Sequence, residues 1–160
     1  MSQMAAENLQ TLMTFGLPAH RLVLRQRAWY IRRLRFLGGL FMADAIVLID
    51  DLFFQAKLHE TAKLTGVTLE TVMTGEQLVK SAQANPAALI IVDLNARQGA
   101  LEAIEKLGAN TAGNPRHIIA FLSHVQTDLA ERARAAGCQD VMPRSKFTQN
   151  LAAILRGAKS

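Results

Sequence analysis

The chain reads as an α/β domain, a five-stranded parallel sheet with helices on both faces. Two observations predict this. From Ala45 onward, short apolar runs alternate with helix-period segments, five times over. The two most apolar runs, residues 45–49 and 88–92, show no polar alternation, as expected of strands buried on both faces. Parallel strands need a crossover between them, and right-handed helical crossovers cover the sheet on both sides.

The first strand is expected at about 45–50 and the first helix over 53–64, with Phe53, Ala56, Leu58 and Leu64 turned inward and Gly66 ending it. A β-branched segment, 67–72, supplies the second strand. Thr74-Gly75-Glu76 opens a second helix, which Asn85-Pro86 closes. A third strand at 88–93 precedes a helix at about 100–107. The stretch 108–115, with Asn110, Thr111, Gly113 and Asn114, has loop chemistry. A fourth strand covers 118–122, and a helix over 127–136 ends at Gly137. Asp140, Val141 and Met142 form a short fifth strand closed by Pro143, and 147–156 is the last helix.

Residues 1–41 stand outside this rhythm. They hold six arginines against one acid, whereas residues 42–160 hold twelve basic and twelve acidic residues. The net charge of +5 therefore lies in the first quarter, and the body has no basic patch for nucleic acid. The amino-terminal stretch reads as a basic extension, either disordered or the product of a mis-set start with Met42 as the real beginning. The other reading is an arm for a membrane surface or a partner. No apolar run approaches the roughly 20 residues that span a bilayer. One cysteine, Cys138, excludes an intrachain disulfide and fits a reducing cytoplasm; its small neighbours make it a buried residue near a helix end.

Three aspartates carry the chemistry. Asp50 and Asp51 follow the first strand and Asp93 follows the third, placing all three at the carboxyl edge of the sheet, where open α/β folds keep their sites. Three acids in one cleft make a site for a divalent cation and a phosphate. Mg²⁺ takes hard oxygen ligands, commonly one or two carboxylates plus phosphate. The bland alternative for each is a strand-end cap or turn carboxylate. His20, His59 and His117 lack metal-ligand spacing.

Over about residues 43–157 this pattern resembles the receiver domains of bacterial response regulators. The resemblance implies a flavodoxin-like strand order, 2-1-3-4-5. It implies Asp93 as phosphoacceptor, Mg²⁺ held by Asp50, Asp51, Asp93 and the Asn95 carbonyl, and Ser123 bonded to the phosphoryl oxygen. It further implies a sensor histidine kinase or phosphotransfer protein as donor and a downstream protein target. The contact surface is the last α–β–α face, which can also support a homodimer. Such a module works in the cytoplasm and is not an enzyme in the usual sense.

The sequence departs from that family at four places, one of them the loop Asn95-Ala96-Arg97-Gln98-Gly99 after Asp93, which is shorter than usual and lacks its customary proline. The lysine that ends the fifth strand of receivers is matched by Arg144, with Ser145 where a proline belongs and Lys146 two residues on. A guanidinium is a wide planar fork, so the exchange is not conservative. The usual aromatic of the fifth strand is Val141, and His124 stands beside Ser123. These departures motivate the alternative of a pseudo-receiver, a binding module that is never phosphorylated. A small aspartyl phosphohydrolase is a third possibility, opposed by Asn95 where such enzymes place a second acid.

Overall fold

The computed structural model describes residues 42–85, 88–109, 116–123 and 126–158. The basic stretch 1–41, the loop residues 110–115, Pro86 and His124 lie outside the described residues. Met42–Ser160 forms one compact unit.

Among the described residues, five strands and five helices alternate: β1 (Ala45–Leu48), α1 (Leu52–Thr65), β2 (Leu69–Val72), α2 (Gly75–Ala84), β3 (Leu89–Asp93), α3 (Ala100–Ala109), β4 (Ile118–Leu122), α4 (Thr127–Ala135), β5 (Asp140–Pro143) and α5 (Arg144–Gly157). All strand pairs are parallel, in the order β2-β1-β3-β4-β5. The expected order is therefore the observed one. The chain reverses its direction of winding between β1 and β3, which lie side by side.

Period-two alternation sorts the strand residues onto two cores. Ile46, Leu48, Ile90, Val92, Ile118, Ala120 and Leu122 face one side and pack with Leu78 and Ala82 of α2, Ile104 of α3 and Ala133 of α4. Val47, Ile49, Ile91, Ile119 and Phe121 face the other and pack with Phe54 and Leu58 of α1 and Phe147, Leu151 and Leu155 of α5. Phe121 and Phe147 stack at 4.4 Å between ring centroids, and Phe54 meets Phe121 edge-on at 5.5 Å. Such ring contacts add about 0.5–1.5 kcal/mol each beyond the area they bury.

Local chemistry sets the helix ends. The Asp51 carboxylate accepts from the Phe54 N–H at 3.0 Å and caps α1, and Gly66 closes it at φ 68°. Thr74 and Gln77 form a reciprocal capping box at the start of α2. Gly75 is forced by close approach, since a Cβ there would stand 2.1 Å from the Gly99 carbonyl oxygen.

Two expectations are corrected. On α1 the inward residues are Phe54, Leu58 and Ala62, while Phe53, Ala56 and Leu64 are exposed, Phe53 at 93 %. The cap at Asp51 phases the helix so that the i, i+4, i+8 series begins at Phe54. The last helix begins at Arg144, three residues before the expected Phe147, because Pro143 ends the ladder in extended geometry and helical backbone follows at once.

Candidate functional site

The carboxyl ends of β1 and β3 meet at the switch point of the sheet, where open α/β folds bind ligands. Alternation along β3 turns Asp93 to the same face as Leu89 and Ile91, the face covered by α1 and α5. Arg144, the first residue of α5, and the Asn95 backbone N–H are the polar groups that reach it there. Its side chain is 1 % exposed.

Arg144 joins the two carboxylates. Its Nη1 donates to Asp51 Oδ2 at 2.8 Å and its Nη2 to Asp93 Oδ2 at 2.7 Å. Its guanidinium carbon lies 4.9 Å from the centroid of the Phe54 ring and 5.6 Å from that of Phe121, so the charge also rests against two aromatic rings. Its Nε is buried and has no hydrogen-bond partner among the described residues. The other oxygens of the two acids are held by backbone: Asp51 Oδ1 by the Phe54 N–H, and Asp93 Oδ1 by the Asn95 N–H at 2.9 Å.

These environments move the two carboxyls in opposite directions. Burial raises Asp93 above the usual carboxylate range, and the Asn95 N–H and the Arg144 charge pull it back only in part. The Phe54 N–H, followed by the Arg144 hydrogen bond, holds Asp51 below that range. Burial disfavours the charged form of Arg144, but its bonds to Asp51 and Asp93 outweigh this and raise it.

The remaining expected site residues fall as follows. Asp50 Oδ2 accepts from the Arg97 backbone N–H at 3.0 Å, so this acid is turned to the loop after β3. The Asn95 side chain ties that loop to the end of β4: its Oδ1 accepts from the Ser123 N–H at 2.7 Å and the Ser123 hydroxyl at 3.0 Å. Ser123 is thereby exposed and held by Asn95. Lys146 is exposed and makes no ion pair among the described residues; Arg144 alone of the two expected cations reaches the acids. Val141 is half-buried and, with Leu122, Ala130 and Met142, lines a groove of about 150 Å³ beside α4. Cys138 is buried, and burial pushes its thiol up to about 11, disfavouring the thiolate.

The acids expected to gather as a cation cage are not so arranged: among the described residues no group of three or more Asp, Glu, His or Cys side chains is placed to hold a metal ion. Asp50 faces Arg97, and a guanidinium stands between the other two. The donor set nevertheless suits Mg²⁺ in kind, with hard carboxylate oxygens on adjacent strand ends, and the place between Asp51 and Asp93 already demands and receives a cation.

Two features escaped the sequence reading. Arg97 reaches Asp50 Oδ2 through its backbone N–H at 3.0 Å and its exposed side-chain Nε at 3.7 Å, a pairing across 47 residues that no local spacing marks. Phe54 and Phe121, under the guanidinium, were findable: Phe54 is three residues after a capping aspartate, and Phe121 shares the strand parity of Ile119.

No family model matches the sequence, and no curated protein matches it. Among solved structures, the receiver domain of a sensor histidine kinase from Pseudomonas aeruginosa PAO1, which holds a magnesium ion in its active-site cleft, matches with TM-score 0.61 at 22 % identity over 72 % of this chain and 97 % of that one. A putative response regulator from Chloroflexus aurantiacus matches with TM-score 0.62 at 13 % identity, over 71 % and 94 % of the two chains. The receiver domain of the Saccharomyces cerevisiae response regulator solved with its histidine phosphotransfer protein matches with TM-score 0.61 at 17 % identity, over 69 % and 84 %. The fold is that of the response regulator receiver domain. Among the described residues no helix is long and apolar enough to cross a membrane.

Proposed function

We propose that the domain is a phosphoacceptor receiver module of a phosphorelay, and that Asp93 is the residue modified. The observation that carries this reading is the position of Asp93: a carboxylate at the end of β3, at the switch point of a receiver fold, beside a second acid and a cation. An Asp93 oxygen attacks the phosphorus of a partner's phosphohistidine; the new O–P bond replaces the P–N bond, whose electron pair stays on the imidazole. Asp50, Asp51, Asp93 and the Asn95 carbonyl would hold Mg²⁺, which offsets repulsion between the carboxylates and the incoming phosphoryl group.

Within the chain, Arg144 offers the positive charge nearest Asp93, and its planar fork suits phosphoryl oxygens. Ser123, tethered by Asn95, supplies a hydroxyl and an N–H. Charge spread over peripheral oxygens in the transition state calls for positioned donors of this kind. The module acts as acceptor and slow self-hydrolase in the cytoplasm and signals by contact with a protein target. The test is incubation with acetyl phosphate and Mg²⁺: the reading expects an acid-stable, base-labile gain of one phosphoryl group on the intact protein, lost in Asp93→Asn. Absence of any gain over a range of donors would refute it.

The second reading, a pseudo-receiver that binds partners without phosphorylation, is favoured by one feature, the Arg144 fork across Asp51 and Asp93, which leaves Asp93 buried and paired. It expects no labelling of the parent protein and no loss of partner binding in Asp93→Asn.

A further inference from the structure

We propose that the Arg144 guanidinium is a built-in occupant of the cation position between Asp51 and Asp93, so that a divalent metal ion and Arg144 compete for the same two carboxylate oxygens. The inference rests on reading the pocket as a cation and phosphate site.

The oxygens decide it. Asp51 Oδ1 and Asp93 Oδ1 are each committed to a backbone N–H, from Phe54 and Asn95. That leaves the two Oδ2 atoms without a backbone partner, and Arg144 takes both, one with each Nη. A metal ion drawing on both acids through the oxygens that no backbone N–H occupies meets Arg144 at each of them. Asp50 offers only its Oδ1, since its Oδ2 is held by the Arg97 N–H, and that single oxygen does not replace the two that Arg144 takes.

The position of Arg144 in the chain points the same way. It is the first residue of α5, whose first turn holds no acid and whose cap, Pro143, makes no side-chain hydrogen bond. A cation at the positive end of a helix dipole is disfavoured unless anions hold it. Asp51 and Asp93 are those anions. The two rings beneath the guanidinium fix its plane, so little freedom is lost when the fork closes on both acids. A lysine at the same place would bring a compact point charge without the planar fork by which separate N–H groups hold the two acids. The arginine thus supplies to the pair, from within the chain, what a divalent ion would supply from solution, and metal uptake requires its release.

The test measures Mn²⁺ binding, as a paramagnetic substitute for Mg²⁺, by the electron paramagnetic resonance signal of free Mn²⁺. It compares the parent protein with Arg144→Met, which keeps an apolar stem over Phe54 and Phe121, and with Arg144→Lys. Arg144→Met is expected to bind Mn²⁺ at least tenfold more tightly than the parent, Arg144→Lys at least threefold, and Asp51→Asn added to Arg144→Met is expected to abolish the gain. Excess Mg²⁺ should displace the bound Mn²⁺. Circular dichroism establishes that each variant is folded; if Arg144→Met is not, the lysine variant carries the comparison. Equal affinity in parent and variants overturns the inference, as does an absence of binding in all of them. Phosphoryl labelling of the same samples separates the two readings. Tighter Mn²⁺ binding in the variants with no labelling removes the proposed function and leaves the competition standing. Labelling with equal Mn²⁺ affinity does the reverse.

Discussion

Arg144 Nη2 and Asp93 Oδ2, 51 residues apart in the chain, meet at 2.7 Å, with the carboxylate the more deeply buried of the two. A buried carboxylate loses its hydration on folding and needs a compensating partner, so the pair works as a unit and neither half is neutral to remove alone.

Arg144→Met should lower stability at neutral pH by roughly 2–3 kcal/mol, somewhat less than the 3–5 kcal/mol seen on breaking fully buried pairs, because Arg144 keeps some contact with water. Adding Asp93→Asn to it should restore part of the loss, since no unpaired buried charge then remains. Urea denaturation of the single and double variants gives both numbers. A double variant no more stable than Arg144→Met would show that Asp93 is not the group left stranded.

The two acids should titrate in a fixed order. Asp93 lies above the ordinary value of 3.8, so the folded protein holds its proton more tightly than the unfolded chain does. Its contribution to stability is fully present below that value and is lost as pH rises through the folded value. Asp51 lies below 3.8, so its contribution is present above that value and is lost as pH falls through its folded value. Carboxyl carbon NMR on descending pH should see Asp93 protonate first and Asp51 afterwards. The stability of Asp93→Asn relative to the parent should increase from pH 4 to pH 7; a flat difference would contradict the raised value.

Asp51 serves two partners, and two substitutions separate them. Asp51→Asn keeps an acceptor for the Phe54 N–H and loses only the charge on Arg144, whereas Asp51→Ala loses the cap as well. The alanine variant should be less stable than the asparagine variant by about 1 kcal/mol, the usual worth of a cap. Chemical denaturation of the pair measures this; identical midpoints would mean that the cap contributes nothing.

The phase of α1 gives a contrast of adjacent residues. Phe54→Ala should cost about 3–5 kcal/mol by emptying the ring cluster with Phe121 and Phe147. Phe53→Ala, at a side chain in solvent, should fall within about 0.5 kcal/mol of the parent. Thermal or urea melts that showed the opposite ranking would restore the helix phase expected from sequence.

Gly75→Ala should destabilise by roughly 1–3 kcal/mol, because its Cβ would collide with the backbone oxygen of Gly99 and push α2 from α3. Gly157→Ala, where a Cβ meets nothing within 4 Å, should not destabilise. The two variants measured side by side separate close packing from a general effect of glycine loss.

The strands and helices were legible because strand burial and helix caps are local signals, while the strand order came from the resemblance. Residues 118–122 match β4 at both ends, Thr74 opens α2, and Gly66 closes α1. Where the reading went astray, on Phe53 against Phe54 and at the start of α5, a one-residue phase or a single proline decided, and the apolar pattern near each end fits more than one choice. The acids were legible too, since a carboxylate beyond a buried strand has nowhere to go but the sheet edge.

What sequence alone determined, then, is the fold class, the strand order by resemblance, and the placing of Asp50, Asp51, Asp93 and Ser123 along one edge. Only tertiary structure decided what stands among them. Arg144 lies 93 residues from Asp51 and 51 from Asp93. It reaches both because the strand order sets β3 beside β1, strand alternation turns Asp93 toward α1 and α5, and helical geometry brings the first residue of α5 over that face. Each step depends on packing between distant segments, and no local pattern of residues records it.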